Sequence, residues 1–178
     1  MGIFGSSNPV FDMLKQDHSK VKGLFEEFEG AKDSRIKQRI IETTLLELEI
    51  HAKLEEALIY PAIRKKIDAD KIMDEALEEH HVAHTLINEL KRSAGKNGRY
   101  EAKFKVLGES IKHHIKEEEG TMFSEAENAD LDWEQLAKKA MERKKSLMTR
   151  KERGGGDSRR RTVKSRRRSK PRHLRKAA

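Results

Sequence analysis

The chain has 178 residues with 39 Lys or Arg, 31 Asp or Glu and a net charge of +8, which suits one domain plus an appendage. The absence of cysteine excludes disulfides, zinc fingers, thiolate metal sites, Cys-ligated iron–sulfur clusters and thiol catalysis. No apolar run approaches the roughly 20 residues of a membrane span, and no signal peptide is visible, so a cytoplasmic protein is expected.

Apolar residues recur at alternating steps of three and four, the stripe of an amphipathic helix. The three prolines, Pro9, Pro61 and Pro171, leave long stretches without a helix breaker. The first helix is expected from Pro9, placed after Asn8, to about Glu29, with Gly30 as its stop. The second runs from near Ser34 to about Lys66, with a kink at Pro61. The third spans about Asp70 to Ser93. Gly95-Lys96-Asn97-Gly98 reads as a turn. The fourth covers about Arg99 to Glu127. A fifth helix, about 132–150, starts at a capping Asp132, with Gln135 completing a capping box. Trp133, Leu136, Ala137, Ala140 and Met141 share one side of it, which either packs along the other helices or forms a dimer contact. Short connections between long helices predict an all-α fold: an antiparallel up-and-down four-helix bundle over 9–127, with the extra C-terminal helix completing a body of residues 1–150.

Charge separates that body from the C-terminal segment. Residues 151–178 hold 13 Lys or Arg and two acids, Glu152 and Asp157, for a net +11, against −3 for residues 1–150. Gly154-Gly155-Gly156 reads as a flexible joint, and the Arg/Lys-rich segment 151–178 as a disordered tail. Its natural partners are polyanions: nucleic acid or anionic lipid. Without Phe, Tyr or Trp it cannot stack on bases, so binding would be sequence-tolerant and salt-sensitive. The alternative is a solubilising tail with no dedicated partner.

The stripes carry the functional signal. They read Phe11, Leu14, His18, Val21, Phe25, Phe28 on the first helix and Leu48, His51, Glu55, Leu58 on the second. The third reads Met73, Leu77, His80, His84, Ile87 and the fourth Leu107, Ile111, His114, Glu118, Met122. Five histidines and two glutamates stand where Leu or Ile belongs. Buried without partners, each neutral group would cost about 1–3 kcal/mol, and ionised carboxylates more. A bound metal removes that objection, since imidazole and carboxylate suit iron, zinc and manganese. His51/Glu55, His80/His84 and His114/Glu118 are each four apart and lie one above the other on a helix. With His18 they could surround two ions.

These residues resemble the hemerythrin-like, HHE cation-binding family over most of residues 10–125. His51-Ala-Lys-Leu-Glu55-Glu56 with the following Tyr60-Pro61 is similar to the family's H-x-x-x-E-E and aromatic-Pro. His114-Ile-Lys-Glu-Glu118-Glu119 with Phe123 repeats it without the proline. His18, Leu24 and Phe28 share offsets with His80, Leu86 and Leu90, so the chain reads as two related helical hairpins. The resemblance implies two non-haem iron ions with an oxo or hydroxo bridge. By it, His80, His84 and His114 would hold one ion and His18 and His51 the other, with Glu55 and Glu118 bridging. Oxygen-carrying hemerythrins have an aspartate five residues after the fourth-helix histidine. Here Glu118 lies four after His114 or five after His113, which argues against simple reversible oxygen storage. His81 and His113 lie off the stripes and are the alternatives to His80 and His114.

The expected function is a di-iron protein that binds or senses dioxygen, nitric oxide or peroxide, or senses iron, as a monomer. An enzyme that decomposes peroxide or oxidises ferrous iron is the alternative, and a metal- or oxygen-responsive nucleic-acid-associated protein a further one. No acid–base residue beyond the ligands stands out, which favours binding over catalysis. A ferritin-like centre needs two Glu-x-x-His motifs, and only Glu78-x-x-His81 is present.

Overall fold

The Asn8 side chain accepts from the N–H groups of Val10 and Phe11 at 3.0 and 3.3 Å, and Pro9 follows in the first turn, opening α1 (Pro9–Gly30). Asp33 caps α2 (Ser34–Leu54) in the same way, through Arg35 and Ile36. α2 widens into a π turn, Glu55–Ile59, and resumes as α3 (Tyr60–Arg64). α4 is Asp70–Ser93. α5 (Tyr100–Glu117) widens into a second π turn, Glu118–Met122, before α6 (Phe123–Ala126). α7 is Trp133–Arg166. This computed structural model describes residues 8–68, 70–93 and 98–166, the side chains of 152–166 excepted. The turn expected at 95–98 lies outside the described residues except for Gly98. Among the described residues there is no strand, and no helix is long and apolar enough to cross a membrane.

The π turns were not foreseen. Each is closed by a bond from residue i to i−5: Tyr60 N–H to the Glu55 carbonyl, and Phe123 N–H to that of Glu118. A wide turn lies directly ahead of Pro61, where a kink was expected. Pro61 then falls in the first turn of α3, where its missing N–H costs little. The wider turn also moves the stripe by one residue, so Ile59 is fully buried instead of Leu58.

α1 neighbours α2 and α5, and α4 neighbours the same two, giving the up-and-down four-helix bundle. Its apolar half holds Phe25, Phe28 and Phe104, with ring centres 4.9 and 4.8 Å apart. Phe25 lies so close to Gly108 that a Cβ there would meet its ring at 3.0 Å. Towards the other end Phe11 stacks on Phe123 at 4.3 Å.

The chain divides into two compact units, one up to Lys144 and one from Lys145. In the first, Trp133 meets Phe11 at 5.0 Å, and Ala137 and Ala140 are buried, so the opening turns of α7, within this unit, pack along the bundle. Met141 is 55% exposed and off the packed side. Asp132 does cap α7 through Gln135 N–H, but the Gln135 side chain accepts from Lys139 rather than closing a box. In the second unit the helix continues to Arg166, past the expected end near 150 and through Gly154–Gly156. Three helical glycines cost about 1 kcal/mol each relative to alanine, but lysine and arginine on either side are good helix formers. The expected disorder of residues 167–178 lies outside the described residues.

Phe104 is fully buried. Replacing it by alanine is expected to lower the unfolding free energy by about 3–5 kcal/mol, read from the midpoint of a urea transition.

Candidate metal centre

Six buried side chains meet in the middle of the bundle. α1 supplies His18, α2 His51, α4 His80 and α5 His114, while Glu55 and Glu118 open the two π turns. The Nε2 atoms of His18 and His51 are 3.1 Å apart, and those of His80 and His114 3.3 Å. Glu55 joins the pairs: its Oε1 is 2.9 Å from His51 Nε2 and its Oε2 3.3 Å from His80 Nε2. Glu118 Oε2 lies 3.2 Å from His18 Nε2 and 3.9 Å from that of His114. Two groupings result: His18, His51, Glu55 and Glu118, and Glu55, His80 and His114, in each of which one ligand atom per residue lies within 4.8 Å of the others.

The outward nitrogen of every imidazole faces a carboxylate. His18 Nδ1 lies 2.7 Å from Glu119, His80 Nδ1 3.1 Å from Glu56, and His114 Nδ1 2.7 Å from Glu79. His51 Nδ1 faces Asp17 Oδ2 at 3.6 Å. Such outer partners fix the ring orientation and make the inward nitrogen a better donor. Sequence analysis missed all four. Glu56 and Glu119 each follow a centre glutamate, and Asp17 and Glu79 each precede a centre histidine. That shared placement was a signal in the two-hairpin repeat.

His84 stands apart from both groupings. It is half-buried, and its Nε2 lies 3.0 Å from Glu56. The inward stripe of α4 is Met73, Ala76, His80, Ala83, Ile87, Leu90, which puts Ala83 where the sequence placed His84. The first hairpin has Lys22 at the matching position, 3.7 Å from Glu119. His81 is exposed, and His113 is 62% exposed beside Glu79 and Glu117.

A model of the hemerythrin HHE cation-binding domain matches residues 10–126. The chain belongs to the hemerythrin HHE cation-binding family. An HHE domain-containing protein from Mycobacterium kansasii, known from a crystal structure, is 27% identical, with a TM-score of 0.67 over 80% of this chain and 88% of that one. A protein of Nostoc sp. named DNA nickase is 27% identical over 152 residues, 84% of this chain but 42% of its own length. The present chain therefore spans less than half of that relative. The HHE domain is a metal-binding helical domain, and these His/Glu groups can hold metal ions.

The donor set of this HHE domain fits a cation pair. Both Glu55 oxygens and Glu118 Oε2 are buried with no hydrogen-bond partner among the described residues. The short Glu55–His51 approach lacks the alignment of a hydrogen bond, so the carboxylate is aimed inward without being satisfied there. Ligands about 2.1 Å from one ion sit about 3.0 Å apart on an octahedral edge and about 3.4 Å on a tetrahedral one. The Nε2 pairs fall close to that range. The halves differ here: the Tyr60 hydroxyl donates to Glu118 Oε1 at 3.2 Å, whereas Phe123, at the matching position, offers Glu55 no hydroxyl.

The buried charges of the centre act on one another. Burial pulls the His51 imidazole down, but the Glu55 charge, the contacts with Asp17 and Glu55 and the Glu118 charge outweigh it and hold His51 at about 10. Burial likewise opposes protonation of His80, but contacts with Glu55 and Glu56 and their charges carry it to about 9. Burial raises Glu55, yet the neighbouring His51 and His80 keep it well below the usual carboxylate range. Metal uptake at pH 7 is expected to release about two protons, from His51 and His80, and to tighten as pH rises towards 9, measured by calorimetry in buffers of different ionisation heat. The stability these two imidazoles confer on the metal-free protein is complete below about pH 6.5 and is lost as pH rises through 9 to 10.

Proposed function

We propose that this HHE domain holds two iron ions and presents them to a small ligand such as dioxygen, nitric oxide or peroxide. Glu55 carries the reading: a fully buried carboxylate turns one oxygen to each histidine pair. His18 and His51 would hold one ion and His80 and His114 the other, with Glu55 and Glu118 between them and His84 left to Glu56. Zinc and manganese share this ligand chemistry, and the choice of iron rests on the likeness to hemerythrins. Such an iron pair supplies an open coordination position for the ligand.

The chain's own residues shape what reaches that position. A cavity of about 20 Å³ lies against the four core histidines, walled by Val21, Leu48, Ala83, Ile87 and Ile111. It has room for one water-sized molecule, and its apolar walls favour a small uncharged ligand over a hydrated ion. Asp17 and His84 also line it. Asp17 contacts Lys144 and His84 contacts Glu56.

Anaerobically purified protein is expected to contain two irons per chain and to develop a visible band that comes and goes with dioxygen or nitric oxide. His51→Ala and Glu118→Ala should each lose iron stoichiometry. A wild type with only trace metal would overturn the reading. Sustained peroxide consumption would move it to the enzyme.

A second reading, attachment to nucleic acid, is favoured by the net +11 of residues 151–178 and by the name of the Nostoc relative. Deleting 154–178 is expected to abolish low-salt binding to duplex DNA. Unchanged affinity would exclude the tail as the attachment.

A further inference from the structure

α7 lies wholly beyond the matched HHE residues 10–126, yet one of its side chains reaches the outer carboxylates. Along α7 the residues turned to the bundle are Trp133, Ala137, Ala140 and Lys144, in steps of 4, 3 and 4. Lys144 is the only charged one of these four. Its ammonium pairs with Asp17 Oδ1. Asp17 is itself buried, and its other oxygen, Oδ2, faces His51 Nδ1. One carboxylate therefore spans a lysine of the added helix and an imidazole of the centre.

The two hairpins show what is unusual about this arrangement. Asp17 and Glu79 occupy matching places, each beside the outward nitrogen of a centre histidine. Glu79 sits 2.7 Å from its imidazole, and its neighbour besides is the exposed His113. Asp17 stands 3.6 Å from its own imidazole and is gripped from the far side by Lys144. The added helix thus contacts the outer carboxylate of one histidine pair, and among the described residues no such lysine meets Glu79.

We propose that Lys144 is a positioning residue for the metal centre: it fixes the Asp17 carboxylate against His51 and so tunes the His18/His51 ion selectively. Without the ammonium, Asp17 Oδ1 loses its partner and the carboxylate is released from the orientation that faces His51. The inference rests on the two-ion reading of the centre.

The test uses the full chain as wild type, Lys144→Met and Lys144→Arg, each titrated with Co²⁺ under anaerobic conditions. Stoichiometry, stepwise affinities and the visible cobalt spectrum are recorded, together with the thermal midpoint of the metal-free protein. Lys144→Met is expected to weaken one of the two binding steps by about ten-fold, the scale of outer-partner losses, and to change the band of that ion alone. Lys144→Arg should restore both. Two wild-type affinities in Lys144→Met would overturn the proposal. So would equal weakening of both steps with a lowered metal-free midpoint, which marks a purely structural role, or a failure of arginine to rescue. A wild type that takes up no Co²⁺ and no iron defeats the two-ion reading itself, and is thereby distinguished from a variant that behaves like a two-ion wild type.

Discussion

The centre depends on which way four imidazole rings face. A histidine buried in a bundle has two nitrogens and only one can point inward. Here Glu119, Asp17, Glu56 and Glu79 stand at the outward nitrogens, so the inward ones converge in pairs about 3 Å apart. The surrounding packing serves that orientation. The Phe25, Phe28 and Phe104 cluster closes one end of the bundle, and Phe11, Phe123 and Trp133 pack towards the other. Rigid walls hold polar donors at fixed separations, as a metal site requires.

The bundle is a pair of like hairpins that differ at particular places beside the centre. Lys22 and His84 hold equivalent carboxylates, so one hairpin uses an ammonium where the other uses an imidazole. Tyr60 ties down one oxygen of Glu118, while Phe123 leaves Glu55 free to face both histidine pairs. Two ions bound in such a frame would have unlike surroundings although their nearest histidines are alike.

Much of this was legible in the sequence, because period and offset are local properties. The ends of the first and third helices, the bundle, and the gathering of His18, His51, Glu55, His80, His114 and Glu118 follow from steps of three and four. His84 shows the limit of a one-helix reading. Steps of four and three fit Met73, Leu77, His80, His84 as well as Met73, Ala76, His80, Ala83, and the apolar weight of leucine favoured the wrong phase. Projecting the first hairpin onto the second would have chosen Ala83, because Val21 matches it. The repeat marks the outer carboxylates as equivalent, but which histidine each one meets was hidden for a different reason. Glu119 meets His18 from 101 residues away, and no spacing rule reaches that far. Lys144 on Asp17 is farther still. Regular periodicity also assumes an unbroken α-helix, so it missed both π turns and the one-residue shift they impose.

Those wide turns divide each long rod into two registers. In an unbroken helix, inserting or removing a residue rotates everything beyond it by about 100°. Here the insertion is already built in directly after each centre glutamate, at Glu55–Ile59 and Glu118–Met122. Removing a single residue from either segment would let that turn relax to ordinary α geometry with little loss of helix. The helix on either side would keep its direction, and the change would be confined to the turn that each glutamate opens. Length at these two points therefore bears on the aim of Glu55 and Glu118 more than on the helices around them.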